Sequence, residues 1–270
     1  MGRLYNQAFS LKEGIVHFLD APLSQPLIDE TRRVLASHRV PVINTRSCYE
    51  SLWFCIASQY SVYERPLDFT RSLHGVPLER LADVAFLQEQ ALQAGLIYQD
   101  RFGPAAEFIA KHPGGIMRLA RELLEKPGET RDMLTKEVNF INMKTASFWH
   151  LCLGGTKLMT LDRHNYRQLA GLGLDIALEY YVAQPRKKDR RKVLNYPDAK
   201  EYARIEEDAK RLLGGEQTLQ NCTGLDCALA TGIFWVVGAL FARGTNLWQK
   251  DIFCEVPPLK FSSPYSGRPD

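Results

Sequence analysis

The stretch VNFINMKTASFWHLCLGGTKLMTLDRHNYRQL, Val138 to Leu169, decides the fold. Lys144 opens a helix that runs to about Leu153, and Gly154-Gly155 stops it, since paired glycines give the chain the freedom a helix end needs. Lys157 to Leu161 reads as extended and apolar, and Asp162, a residue type that accepts backbone N–H groups at a helix start, caps the helix beginning at Arg163. A helix over 144–153 climbs about 14 Å at roughly 1.5 Å per residue. An extended return over 156–161 covers about 17 Å. If the glycines reverse the chain, Asp162 comes back to the level of Lys144, and an amine and a carboxylate face each other at one mouth. The positive end of the helix dipole disfavours a further positive charge at Lys144. A neutral amine is a nucleophile for carbon and can form a Schiff base.

Outward from this segment the pattern is almost entirely helical. Leu27–Leu35 and Tyr49–Tyr60 carry apolar residues at helical spacing, the second so densely that it is expected near the centre. Leu78–Gly95 carries two short helices. Pro104–Lys111 and Ile116–Lys126 follow, parted by Pro113-Gly114-Gly115, and Thr130 is expected to cap another helix. Asp198–Leu213 is a charged amphipathic helix ended by Gly214-Gly215, and Leu225–Arg243 is an apolar one. A basic insertion occupies about 184–197, and residues 257–270 read as an extended tail. Strand signals are weak and short, so the expectation is an all-α fold in one domain over 1–270, with two helical lobes and a cleft between them.

Composition narrows the class. The chain has 270 residues, 24% of them charged and 45% hydrophobic, with a net charge of +3. A chain of this size hides roughly 75% of its unfolded surface and needs no disulfide or metal staple. The six cysteines, Cys48, Cys55, Cys152, Cys222, Cys227 and Cys254, contain no C-x-x-C pair and no zinc spacing, so they read as mostly buried thiols, with no metal and no cofactor expected. Cys227–Ala242 is uncharged but shorter than the ~20 residues a bilayer requires. Met1–Asp20 lacks the form of a secretory leader, so a cytoplasmic protein is expected.

K-T-A-S-F at Lys144–Phe148 followed by L-D-R-H at Leu161–His164 resembles the helix-hairpin-helix DNA glycosylases, most closely the type 2 archaeal and bacterial 8-oxoguanine DNA glycosylase/AP lyases. The resemblance extends from Tyr49 to Leu169, with the hairpin and catalytic segment at about 130–170. It implies that Lys144 is the catalytic nucleophile and Asp162 the catalytic carboxylate. It further implies a monomeric base-excision-repair enzyme acting on damaged double-stranded DNA, associated with the nucleoid in a prokaryote. That family's hairpin carries glycines where this chain has Phe140 and Asn142. Asn142 tolerates the left-handed backbone region, but a bulky phenylalanine does so with difficulty, so the hairpin is expected to grip DNA less well or to sit differently.

The same resemblance places Ser58, Gln59 and Tyr60 where the family probes the duplex. Tyr60 fits a wedge that fills the gap of a flipped nucleotide, or equally a core aromatic. Asn142 and Thr145 at the helix start suit a phosphate. His164 is either a phosphate contact or a helix cap. Phe148 and Cys152, on the face of Lys144, and Trp235 are candidates for the base pocket. Lys187, Lys188, Arg190 and Arg191 either track the DNA backbone or form a solvated loop. Two other functions stay open: an N-glycosidic hydrolase of the same fold for another modified base or nucleoside, and a non-enzymatic DNA-binding module.

Overall fold

The computed structural model describes residues 9–12, 15–18, 21–22, 25–59, 64–181, 184–185, 192–193, 195–212 and 227–243. Over these residues the fold is all-α apart from two small antiparallel ladders. The helices are α1 (Gln25–His38), α2 (Thr45–Ala57), α3 (Glu64–Leu73), α4 (Val84–Gln93), α5 (Phe102–Lys111), α6 (Gly115–Glu125), α7 (Pro127–Glu137), α8 (Met143–Cys152), α9 (Arg163–Gly171), α10 (Ala199–Leu212) and α11 (Cys227–Arg243). Short 3₁₀ turns stand at Leu78–Ala82, Gln99–Arg101 and Leu178–Tyr180. β1 (Phe9–Lys12), β2 (Ile15–Phe18) and β3 (Ala21–Pro22) pair in chain order, with Phe9 opposite Phe18. β4 (Gln184–Pro185) pairs with β5 (Lys192–Val193), Gln184 opposite Val193, inside the basic insertion. Residues 186–191 of that insertion, with Lys187, Lys188, Arg190 and Arg191, lie outside the described residues, as do Tyr60 and the 257–270 tail.

The chain divides into two compact units, one built from residues 36–160 and the other from the described residues before and after them. The first is organised around α2, which packs against α3, α6 and α8. Leu52, Trp53, Phe54, Cys55 and Ile56 are consecutive and all buried, so this helix is covered on every side. Its two neighbouring indoles are satisfied inside the core: Trp53 Nε1 donates to the Leu81 carbonyl at 2.9 Å, and Trp149 Nε1 to Ser51 Oγ at 3.1 Å. The helix begins at Thr45 rather than Tyr49, because Asn44 and Ser47 form a reciprocal cap in which each side chain accepts the other's backbone N–H.

Two further differences from the sequence expectation have local causes. Helix α3 has no apolar run to announce it, and Pro66 sits in its first turn, where the missing N–H costs nothing. Helix α7 starts with Pro127 at its first position, which leaves Thr130 buried inside the helix instead of capping it.

In the second unit α9 packs on α11. Gly232 of α11 permits a close approach to α1, since a Cβ there would lie 2.9 Å from Thr31 Cγ2 and 3.1 Å from Leu35 Cδ2. Helix α10 is capped by Asp198, whose Oδ1 accepts the Glu201 N–H at 2.8 Å. No described helix is long and apolar enough to cross a membrane. Cys48, Cys55, Cys152 and Cys227 are buried, while Cys222 and Cys254 lie outside the described residues.

Candidate active site

The hairpin between α7 and α8 is a turn closed by the Ile141 N–H on the Val138 carbonyl at 3.1 Å. Phe140 occupies the position that needs a positive φ and takes it, with φ 70. The turn is kept and the residue is strained, at a cost of about 1–2 kcal/mol. Asn142 is extended instead, at φ −104 and ψ 174, and it caps α8 by accepting the Thr145 N–H at 2.9 Å.

Side chains from elsewhere in the same unit hold the strained turn. Gln59, just past the end of α2, donates its amide to the Phe140 carbonyl at 2.7 Å and to Thr145 Oγ1 at 2.6 Å. Arg101 donates to Gln59 Oε1 at 2.7 Å. Thr145 passes its own hydroxyl hydrogen to Asn142 Oδ1 at 3.0 Å. Thr145, expected at a phosphate, is therefore only 2% exposed and works inside the hairpin. Arg101 was not singled out in the sequence, because its partner Gln59 stands far from it along the chain.

Lys144 follows in the first turn of α8, half-buried, with no ion-pair partner among the described residues of its unit. On the same face, Phe148 packs against His38 and Phe54, with ring centroids 5.8 Å and 5.6 Å away. Cys152, expected to line a base pocket, is instead fully buried against Cys55, Sγ to Sγ 3.7 Å. Burial first, then Cys152, pushes the Cys55 thiol well above the usual range, while the Lys144 charge opposes them.

Asp162 belongs to the other unit and caps α9 as expected. Its Oδ1 accepts the His164 and Asn165 N–H groups at 2.8 Å and 3.2 Å. Asn165 Oδ1 returns the contact by accepting the Asp162 N–H at 3.0 Å. Asn165 is fully buried and its amide donates to the Thr231 carbonyl of α11 at 2.8 Å. The Leu161 N–H is held by the Tyr202 hydroxyl of α10 at 2.8 Å. Asp162 thus sits between residues fixed by two other helices, and neither Asn165 nor Tyr202 carried a sequence signal beyond ordinary helix composition. The His164 side chain is buried, and Trp235 is half-buried on α11.

The glycine pair after α8 is set by His150. Gly154 turns the chain with φ 91, and a Cβ on Gly155 would lie 2.2 Å from the His150 ring. His150 Nδ1 lies 3.0 Å from the Leu123 carbonyl, and Nε2 accepts the Lys157 N–H at 3.3 Å. Only the neutral Nδ1–H tautomer serves both partners. Burial pushes this imidazole down to about 4, the Leu123 carbonyl opposes that, and Arg131, Lys157 and Arg39 add to it.

The unfolded chain takes up this proton below its ordinary value of 6.5, and the folded chain refuses it until about pH 4. Stability present above pH 6.5 is therefore expected to fall between pH 6.5 and 4 by roughly 3 kcal/mol from this residue. Urea midpoints measured at pH 7 and pH 4.5 check it. His150→Gln should show a smaller drop over that interval, and an equal drop would assign the acid sensitivity to other groups.

The chain matches no known family model and no curated protein. Two solved structures are similar to it. The 8-oxoguanine DNA glycosylase of Methanocaldococcus jannaschii superposes with a TM-score of 0.54 at 14% identity, over 82% of this chain and 88% of that one. The 8-oxoguanine DNA glycosylase of Thermotoga maritima superposes with a TM-score of 0.52 at 17% identity, over 79% of this chain and 89% of that one. At such identities the likeness is one of backbone architecture, and this chain has the fold of these archaeal and bacterial 8-oxoguanine DNA glycosylases.

Proposed function

We propose that the chain is a DNA glycosylase with AP lyase activity that removes an oxidised purine, 8-oxoguanine, from duplex DNA through a Schiff base on Lys144. The observation that carries the reading is the shared fold together with Lys144 in the first turn after the hairpin and Asp162 at the cap of the following helix. A pure binding module has no use for that amine and carboxylate.

A base stacked in a duplex is out of reach, so the nucleotide must rotate out. Lys144 Nζ then forms a bond to the sugar carbon that bears the base. The N-glycosidic bond breaks, and its electron pair leaves with the base, which takes up a proton. The sugar ring opens to give the imine. Loss of a proton from the adjacent carbon expels the 3′ phosphate and nicks the strand. Asp162 stabilises the positive charge that develops on the sugar, where a fixed carboxylate is worth most. Phe148 and Trp235 offer stacking surfaces for the base, Asn142 faces the backbone, Tyr60 fills the gap, and Lys187, Lys188, Arg190 and Arg191 follow the phosphates.

A panel of duplexes carrying different damaged bases tests the reading, scored for base release and for nicking. Release and nicking at 8-oxoguanine are expected. Release from a different lesion would keep the glycosylase and replace its substrate. No release from any lesion would leave a DNA-binding module.

A further inference from the structure

Phe140 combines two unfavourable states. Its backbone is left-handed, and the residue is 47% exposed, so little is gained from burying it in the free protein. Strain kept at an exposed position points to a use for the side chain. The ring has company: the guanidinium carbon of Arg101 lies 5.6 Å from its centroid and 4.1 Å from the centroid of Tyr98, which is 45% exposed. Gln59 Oε1 pins Arg101 at 2.7 Å, and the amide of the same Gln59 holds the Phe140 carbonyl at 2.7 Å. Gln59 therefore ties the backbone that carries one aromatic ring to a cation lying over that ring and over a second one, beside the hairpin.

We propose that Phe140, Arg101 and Tyr98 form a stacking site for an exposed nucleobase face of DNA, the face bared when a neighbouring nucleotide leaves the duplex. The inference rests on the DNA reading above and adds to it a contact outside the catalytic pair. Flat π faces and a guanidinium are the groups on which unstacked bases settle without regard to sequence. The same cation suits the flanking phosphate. An intact duplex presents only base edges and phosphates, so the site favours DNA with a gap in its stack. In this light the ring at position 140 replaces what a glycine there would leave bare.

Fluorescence anisotropy with the full chain tests this on two labelled duplexes, one intact and one carrying a tetrahydrofuran abasic analogue. Phe140→Gly keeps the backbone shape, since glycine takes a positive φ without strain. It is expected to weaken binding to the abasic duplex about tenfold, to change intact-duplex binding less than about twofold, and to leave the melting temperature unchanged or raised. Phe140→Tyr should bind both duplexes like the original chain, and Tyr98→Ala should lose the abasic preference in the same way as Phe140→Gly. Unchanged or tighter abasic binding by Phe140→Gly overturns the proposal, and so does an equal loss on both duplexes or a lowered melting temperature. If the original chain excises a base while these variants bind normally, only the stacking site falls. If the original chain binds neither duplex, the DNA reading falls with it.

Discussion

Lys144→Gln is expected to abolish borohydride trapping while the protein still binds damaged duplex. An amine that displaces a base must pass through an imine with the opened sugar, and borohydride reduces that imine to a permanent link between protein and DNA. Glutamine nearly keeps the length of the lysine chain and its helix propensity, but its amide nitrogen is not a nucleophile. Lys144 is half-buried in the first turn of α8 and makes no ion pair among the described residues of its unit, so its loss leaves no buried charge behind. Base release should fall on the order of a thousandfold or more, as when other covalent enzymes lose their nucleophile. The measurement is a denaturing gel of the borohydride-treated mixture, with anisotropy on the same duplex as the binding control. A trapped adduct from Lys144→Gln would move the nucleophile to another amine. Loss of trapping together with loss of DNA binding would make Lys144 a DNA contact rather than the reacting group.

The helices that carry these two residues were legible because their ends are set by local chemistry. Gly154-Gly155 stops α8, and Asp162 caps α9 by accepting backbone N–H groups three residues or fewer away. Such signals depend on neighbours in the chain and can be read from it. The hairpin was less legible for the opposite reason. Steric preference argues against φ 70 at Phe140, and what offsets the strain is tertiary: a hydrogen bond from Gln59, held by Arg101. The inward turn of the Thr145 hydroxyl and the approach of Cys152 to Cys55 are likewise set by groups brought together only by the fold. Helix α3 was missed because its apolar positions are few, and its pattern makes sense only once Leu67, Phe69 and Leu73 are seen buried in the core. On the catalytic side, the identities of Lys144 and Asp162 came from a resemblance in short motifs. Their supporting residues, Asn165 and Tyr202, could not, because each acts through a contact with a segment distant in the chain.

Asp162→Asn separates the two jobs that this residue holds. As a helix cap it needs one oxygen that accepts the His164 and Asn165 N–H groups, and an asparagine oxygen does this about as well as a carboxylate. The reciprocal contact from the Asp162 N–H to Asn165 Oδ1 involves only the backbone of residue 162 and is unaffected. Folding stability should therefore change by less than about 1 kcal/mol, whereas Asp162→Ala, which removes the accepting oxygen, should cost about 1 kcal/mol. Catalysis asks for something asparagine lacks, a full negative charge where the sugar becomes positive. Removing a preorganised electrostatic partner of this kind slows reactions by about 10²–10³-fold, so base release by Asp162→Asn should fall by that factor while DNA affinity holds. Single-turnover release rates, paired with urea denaturation of both variants, make the comparison. If Asp162→Asn releases base within about tenfold of the original chain, the carboxylate serves only as a cap and the charge on the sugar is met elsewhere. If it loses stability as well as rate, the slowing would follow from a displaced α9, and Asn165→Ala, which breaks the same cap from its other side while sparing the charge, would then slow the reaction equally.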